Sequence, residues 1–318
     1  MRFTKSRWKK KGLIFKPKGN VDWSLTHAQV PFAYPINNDV VRIFYATRDI
    51  NSSSSVSFID VEANKPSNII YKHNLPVLQK GNKGTFDDSG TMPSWFLEHE
   101  GKLYLYYTAW NKSVEASYRL SIGLAVSEDQ GLTFKKMFAG PILDRSIFDP
   151  IWVGQPCVIK EQEVWKMWYL SCEKIEEINN IPEPFYNVKY AESKDGINWQ
   201  RDNKVCIDFD FGTIDAIGRP CVYFDDGIYK MYHSNRKAVG YREKKDAAYR
   251  IGYSESKDGI NWNRLDADAG IIKSDSGWDS MMNEYCSTYK RDGIRYLIYN
   301  GNGFGASGFG YAVLDERE

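Results

Sequence analysis

The heptapeptide Ser-Lys-Asp-Gly-Ile-Asn-Trp occurs twice, at 193–199 and at 256–262, 63 positions apart. Chance rarely writes the same seven residues twice when one of them is Trp. A period of this size restricts the chain to a tandem array of like structural units. Two further patterns keep nearly the same period. Aromatic-rich, strand-like runs recur as RIFYATRD, LYLYYTAWN, WKMWYLSCEK, YKMYHSNRK and RYLIYNGNG. Each is preceded by another strand-like run: HAQVPFAY, GTMPSWFL, GQPCVIKE, GRPCVYFD and EYCSTYKR. With Pro31, Pro93, Pro156, Pro220 and Tyr285 as markers, the steps are 62, 63, 64 and 65 residues.

Each unit reads as four short strands with turn residues between them, which is the plan of a propeller blade. A third, degenerate copy of the heptapeptide, SEDQGLTF at 127–134, follows the run LSIGLAV. This pattern resembles the Asp-box of sialidase-type propellers, a hairpin device in which Ser and Asp side chains bond turn backbone. It builds blades and does no chemistry. No segment carries a 3.6-residue apolar period over three turns. EKIEEINNIPEPF, at 173–185, is the one helix-like candidate, and its prolines make it a loop insertion.

The expected fold is therefore all-β, a single five-bladed β-propeller spanning 1–318. The blades fall at about 21–80, 81–143, 144–208 and 209–275, with the fifth at 276–318 plus 3–16. The last unit ends at GFGYAVLDERE without an outer strand, and FTKSRWKKKGLIFKP is expected to supply it, Trp8 matching Trp262. Such closure hides sheet edges.

Composition excludes several function classes. A net charge of +1 gives no electrostatic case for nucleic acid. No apolar run approaches the roughly 20 residues that span a bilayer, so no membrane insertion is expected. The N-terminus has no apolar stretch after its charges, so it does not read as a secretory signal, and a cytoplasmic location is expected. Five cysteines without CxxC or Cys/His spacing argue against disulfides or structural zinc, and no metal or cofactor is expected. Cys157, Cys221 and Cys286 take one slot in consecutive units and read as small apolar spacers. Aromatics reach 15%, with 21 Tyr and 10 Trp, which suits strands and sugar-binding clefts.

In a propeller, function collects in the central funnel. The starts of the inner strands carry His27, Asp88, Asp149, Asp215, Arg219 and Glu284; the ends of the second strands carry Arg48, Trp110, His233, Arg236 and Asn302. On the marker alignment Glu284 shares its slot with Arg219, Gln155, Met92 and Val30. Acids facing one another across a closed cup push one pKa upward, as a general acid requires. Each candidate also has a plain structural role: a salt bridge for Glu284, a turn cap for Asp88, Asp149 and Asp215, strand-end packing for Arg236 and His233. Arg48, Arg219, His233 and Arg236 together suit an anion, because guanidinium matches phosphate or carboxylate.

The blade count, the Ser-x-Asp-Gly turns and the acids before inner strands resemble the propeller glycoside hydrolases of families 43, 32 and 130. Asp149-Pro150 is similar to the Asp-Pro pairs of families 32 and 43, and FYATRD with Arg48 resembles an early segment of family 130. Glu284-Tyr285-Cys286 stands where a catalytic Glu precedes Cys-Pro or Gly-Pro. The Asn-Asp-Pro of family 32 and the Glu-Asp-Pro-Arg of family 130 are missing, and His27 stands where family 43 has an Asp. The resemblance implies a glycosidase with Glu284 as general acid and Asp88 or Asp215 as base or nucleophile, Asp149 being a further candidate acid. The implied partner is a short oligosaccharide or an acidic or phosphorylated sugar, bound by His27, Arg48, Trp110, Arg219, His233, Arg236 and Asn302. Two other readings stay open: a sugar or nucleotide-sugar binding module, and a scaffold with a hydrated cup. Phosphorolysis, with phosphate attacking directly, is a variant of the first.

Overall fold

A computed structural model describes residues 8–316. Apart from one 3-10 turn at Asp266–Asp268, its regular structure is strand, as the repeat predicts. Four hairpin-linked antiparallel strands make the first group: β1 being the N-terminal Lys9–Phe15, these are β2 (Thr26–Pro35), β3 (Val40–Arg48), β4 (Ser54–Glu62) and β5 (Lys65–Lys72). The second is β6 (Gly90–His99), β7 (Lys102–Lys112), β8 (Tyr118–Ser127) and β9 (Lys135–Lys136). The third is β10 (Trp152–Glu161), β11 (Val164–Ile178), β12 (Ile181–Ser193) and β13 (Gln200–Ile207). The fourth is β14 (Ala216–Asp225), β15 (Ile228–Arg236), β16 (Arg250–Ser256) and β17 (Trp262–Arg264). The chain ends with β18 (Glu284–Arg291), β19 (Ile294–Asn300) and β20 (Phe309–Asp315), and β20 takes β1 as its outer neighbour. Residues 3–7 of the expected N-terminal strand lie outside the described residues.

The repeated heptapeptide links the third strand of a group to its outer strand. In the second copy Ser256 Oγ accepts from Gly259 N at 2.9 Å, and Asp258 Oδ1 accepts from Ile260 N and Asn261 N at 2.8 Å. Those bonds hold the Asp258 carboxyl far below the usual range. The turn also ties groups together. Trp168 Nε1 of the third group donates to Gly259 O at 2.7 Å, and Tyr106 Oη of the second donates to Gly196 O at 2.9 Å. Gly259 and Gly196 have φ of +78° and +72°, which a side chain would strain.

The segment 173–185, expected as a loop insertion, is instead the far end of the β11–β12 hairpin, with Glu176 opposite Glu183 and Ile178 opposite Ile181. Its two-residue turn, Asn179-Asn180, has both φ values positive, at 54° and 60°, as a tight hairpin turn of matching twist requires. Pro182 and Pro184 are tolerated because the hairpin projects beyond the neighbouring strands.

Every inner strand carries a bulge. Pairing places Gln29, Met92, Gly154, Gly218 and Glu284 at one position, and resumes at Phe32, Trp95, Cys157, Cys221 and Ser287. Two expected equivalences are therefore corrected. Glu284 shares its slot with Met92 but not with Arg219, whose counterparts are Tyr285, Gln155 and Val30. Cys286 matches Pro156 and Pro220, not Cys157 and Cys221. The proline marker slips because the second and last groups place their markers one residue early. Val30, Gln155, Arg219 and Tyr285 all have φ of 50–54°. For three of them the strained amide is satisfied by the preceding group: Val30 N by Asn300 Oδ1 at 2.6 Å, Gln155 N by Thr108 Oγ1 at 2.7 Å, Tyr285 N by Ser234 Oγ at 2.8 Å.

Candidate functional site

Where the bulges face outward they floor a cavity of about 550 Å³. Gln29, Val30, Met92, Gln155 and Tyr285 come from inner strands; Arg48, Trp110, Lys112 and Arg236 from the ends of second strands. Tyr118, Leu120 and Tyr186 come from third strands, and the connection 237–249 adds Tyr241, Arg242 and Tyr249. Phe304 closes the remaining side. The lining holds four cations, Arg48, Lys112, Arg236 and Arg242, and among the described residues no Asp or Glu.

The cations are held in different ways. Arg48 is partly buried; its Nε donates to Gln29 Oε1 at 3.1 Å and it pairs with no carboxylate among the described residues. Burial lowers its pKa, a sign that the charge is poorly solvated. Arg236 is 1% exposed. Its Nε reaches Tyr186 Oη and Tyr249 Oη at 3.3 Å, Nη1 the Lys237 carbonyl at 2.9 Å and Nη2 the Pro184 carbonyl at 3.2 Å. Tyr186 and Tyr249 are hydrogen-bonded to each other. The Tyr241 ring is contacted by two guanidiniums, Arg236 at 3.9 Å and Arg242 at 4.1 Å from its centroid. Of the three guanidiniums in the lining, Arg242 alone has an acid among the described residues, Glu183 at 2.8 Å.

Of the eleven residues expected in the site, the cup brings together Arg48, Trp110 and Arg236. Trp110 presents an indole edge, its Nε1 donating to Ser54 Oγ at 2.8 Å. Glu284 lies immediately behind the cup, next to Tyr285. It is fully buried, and neither carboxyl oxygen has a hydrogen-bond partner. Burial raises its pKa well above the usual value, against the opposing charges of Arg236 and Lys273, so the group holds its proton. Lys273 is itself lowered to about 8, by burial first and then by Arg250.

The other acids lie elsewhere. Asp149 is fully buried but spent on structure: Arg201 Nη1 at 2.8 Å, Lys189 Nζ at 3.7 Å, and the hydroxyls of Ser171, Ser146 and Tyr169 at 2.7, 2.9 and 3.2 Å. The same device recurs, Asp87 with Tyr107 and Lys136, Asp279 with Tyr299 and Lys10. It staples the second strand to the outer strand, so an acid before an inner strand signals the blade and not the cup. Asp215 accepts from Gly212 N and Ala238 N, each at 2.7 Å, and caps a turn. Asp88 closes a surface turn through Asn111 Nδ2 at 2.7 Å and Gly84 N at 3.0 Å.

The remaining expected ligands are also structural in position. His27 is lowered to about 4 by burial and by Arg48, and bonds Thr26 Oγ1 at 2.9 Å. His233, fully buried and likewise lowered to about 4, faces Ser254 Oγ at 3.2 Å and Asp266 at 3.5 Å. Asn302 ties the amides of Met281 and Met282 at 2.7 and 3.1 Å. Arg219 is buried below the floor. The aromatic wall was missed because it comes from third strands and from 237–249. The length of that connection, with Tyr-Arg at its middle, was the available signal.

No protein-family model matches the chain. The uncharacterized protein MT1551 of Mycobacterium tuberculosis (strain CDC 1551 / Oshkosh) is 35% identical over 312 residues, covering 97% of this chain and 99% of that one. Rv1502 of strain H37Rv is 34% identical over the same coverage. Among solved structures, a glycosyl hydrolase from Bacteroides ovatus superposes with a TM-score of 0.74 at 15% identity, over 99% of this chain and 96% of that one. A structure from the GH130 family of mannoside phosphorylases gives 0.73 at 15% identity, over 100% and 96%. A thermostable family-43 glycoside hydrolase gives 0.64 at 17%, over 92% and 90%. The fold is the β-propeller of these glycoside hydrolase families.

Proposed function

This chain belongs to one family with MT1551 and Rv1502 of Mycobacterium tuberculosis, and from that premise we propose that it is a carbohydrate-active propeller whose cup takes an anionic sugar. The observation that carries the reading is the lining itself: four cations, seven aromatic rings and no carboxylate among the described residues. A half-buried guanidinium without a counter-charge is costly, and a phosphate or carboxylate on the ligand offsets that cost. Aromatic faces supply the apolar complement of a sugar ring. A glycosyl phosphate or a nucleotide-sugar meets both demands.

Hydrolysis by paired carboxylates needs two acids flanking the scissile bond. The cup supports this poorly, since no acid lines it among the described residues: Glu284 is buried behind Tyr285, and Asp88, Asp149 and Asp215 are committed to turns and staples. A second reading, phosphorolysis, is favoured by Glu284. A carboxyl that keeps its proton behind Tyr285 suits a proton donor, with phosphate held by the arginines as nucleophile.

The same proposal takes the strand groups as five blades of one closed domain, with the expected boundaries. In support, β1 pairs with β20, Lys10 serves Asp279 as Lys136 serves Asp87, and Ala33 N bonds Ser287 Oγ at 3.0 Å across the first and last groups. A cytoplasmic location is part of the reading, and five free buried cysteines fit a reducing compartment. No helix among the described residues is long and apolar enough to cross a membrane.

The test is calorimetric titration with a glycosyl 1-phosphate, its uncharged methyl glycoside and a nucleotide-sugar. Binding confined to the charged ligands is expected. Equal binding of the uncharged glycoside, or phosphate-independent hydrolysis of a neutral oligosaccharide, refutes the reading. Release of sugar phosphate from an oligosaccharide only when phosphate is added selects phosphorolysis.

A further inference from the structure

Arg219 is 0% exposed, and only one of its three guanidinium nitrogens is satisfied. Nη1 donates to the Ser94 carbonyl, while Nε and Nη2 have no partner. The bond runs from the fourth strand group to the second, which are not sequential neighbours, so the side chain crosses the middle of the molecule. Trp95, next to Ser94, packs against four of the hydrophobic clusters at once, as a residue on the centre line must. Arg219 shares its bulge slot with Gln155, Val30 and Tyr285, which line the cup floor, and it lies below them. Arg219 pairs with no carboxylate among the described residues, and the clusters that Trp95 packs against hold the buried thiols of Cys221, Cys286 and Cys157.

A buried cation with two orphaned donors is among the most unfavourable arrangements a core can contain. Neutral thiols are weak acceptors and do not neutralise it. The vacant donors, Nε and Nη2, lie on one edge of the guanidinium, where a single acceptor can take both. The clusters around the centre line consist of thiols and apolar or aromatic side chains, surroundings that suit a weakly hydrated monovalent ion and not a phosphate. We propose that Arg219 holds a small inorganic anion of the halide class on the centre line beneath the cup. The site is separate from the ligand cup and does not rest on the sugar reading. Its role is to neutralise the pin that joins the second and fourth groups. The rival counter-charge is Cys221 as thiolate, whose pKa is lowered first by its hydrogen bond with Cys286.

The test uses the native chain crystallised in bromide and read by anomalous scattering. The expected result is a bromide peak within hydrogen-bonding distance of Arg219 Nε and Nη2. A parallel melt at fixed ionic strength compares chloride with gluconate. The melting temperature should rise by about 2–4 °C in chloride for the native chain and for Cys221→Ser, and not for Arg219→Met. Absence of the peak overturns the proposal, whatever Arg219→Met does to folding. So does a melt indifferent to halide in the native chain. A halide response lost in Cys221→Ser but kept in Arg219→Met assigns the effect elsewhere and also overturns it.

Discussion

Arg48→Met separates a ligand-binding cation from a structural one. Among the described residues Arg48 makes one hydrogen bond, from Nε to Gln29 Oε1 at 3.1 Å, and faces a cup without acids. Both Nη groups are therefore left for a ligand. A two-pronged, charge-assisted contact to phosphate contributes about 1.5–3 kcal/mol. At about 1.4 kcal/mol per decade, its loss weakens binding roughly 10–150-fold. The effect on the unliganded protein differs in kind. The variant forfeits one hydrogen bond, about 1 kcal/mol, but relieves a poorly solvated charge of similar cost, since Met keeps most of the apolar stem. The melting temperature should thus move by no more than about 2–4 °C. Titration with a glycosyl 1-phosphate and a thermal melt measure both numbers on one preparation. Arg48→Lys should fall between, keeping charge but losing the fork. Unchanged affinity in Arg48→Met, or a collapse of the unliganded fold, refutes the assignment.

Asp149→Asn should lower stability by about 3–5 kcal/mol, because Arg201 loses its buried counter-charge (Lys189 keeps Glu173 at 2.6 Å), while ligand affinity stays at the native value; a stable variant that cannot bind would return Asp149 to the site. Glu183→Gln should tighten binding of a phosphorylated ligand, since it frees Arg242 from the acid 2.8 Å away; weaker binding in the titration would show that Glu183 positions Arg242 instead. Glu284 titrates above its unfolded value of 4.5, so its contribution to stability is complete below pH 4.5 and is lost as pH rises through the folded pKa. Chemical denaturation from pH 4 upward should therefore show Glu284→Gln gaining on the native chain with rising pH, and parallel curves would place the carboxyl in contact with solvent.

How much of this was legible in sequence depended on range. The units, their strand order and the heptapeptide turns were readable because hairpins are local: Asp258 bonds residues two and three positions away, and any sequence that writes Ser-x-Asp-Gly specifies that turn. The missing outer strand was readable from an incomplete last unit. The projecting β11–β12 hairpin was not, because Asn179-Asn180 among charged residues resembles a loop until two strands pair across it.

The site belonged to tertiary structure. An inner-strand acid looks the same in sequence whether it faces the axis or, like Asp149, turns outward to a tyrosine and a cation from other strands. The bulge that sets which residues floor the cup is likewise tied by amide bonds to the preceding group, Gln155 N to Thr108 Oγ1 and Tyr285 N to Ser234 Oγ, contacts that no local pattern records. A one-residue slip turned Glu284 from the counterpart of Arg219 into its neighbour, since strand side chains alternate between faces. The cup's charge was likewise invisible in a chain of net charge +1. Acids such as Asp87, Asp149 and Asp279 pair with cations on outer strands, while Arg48 and Arg236 meet in the cup without a carboxylate partner among the described residues. Sequence determined the repeated unit; packing of the units around one axis decided which residues face it.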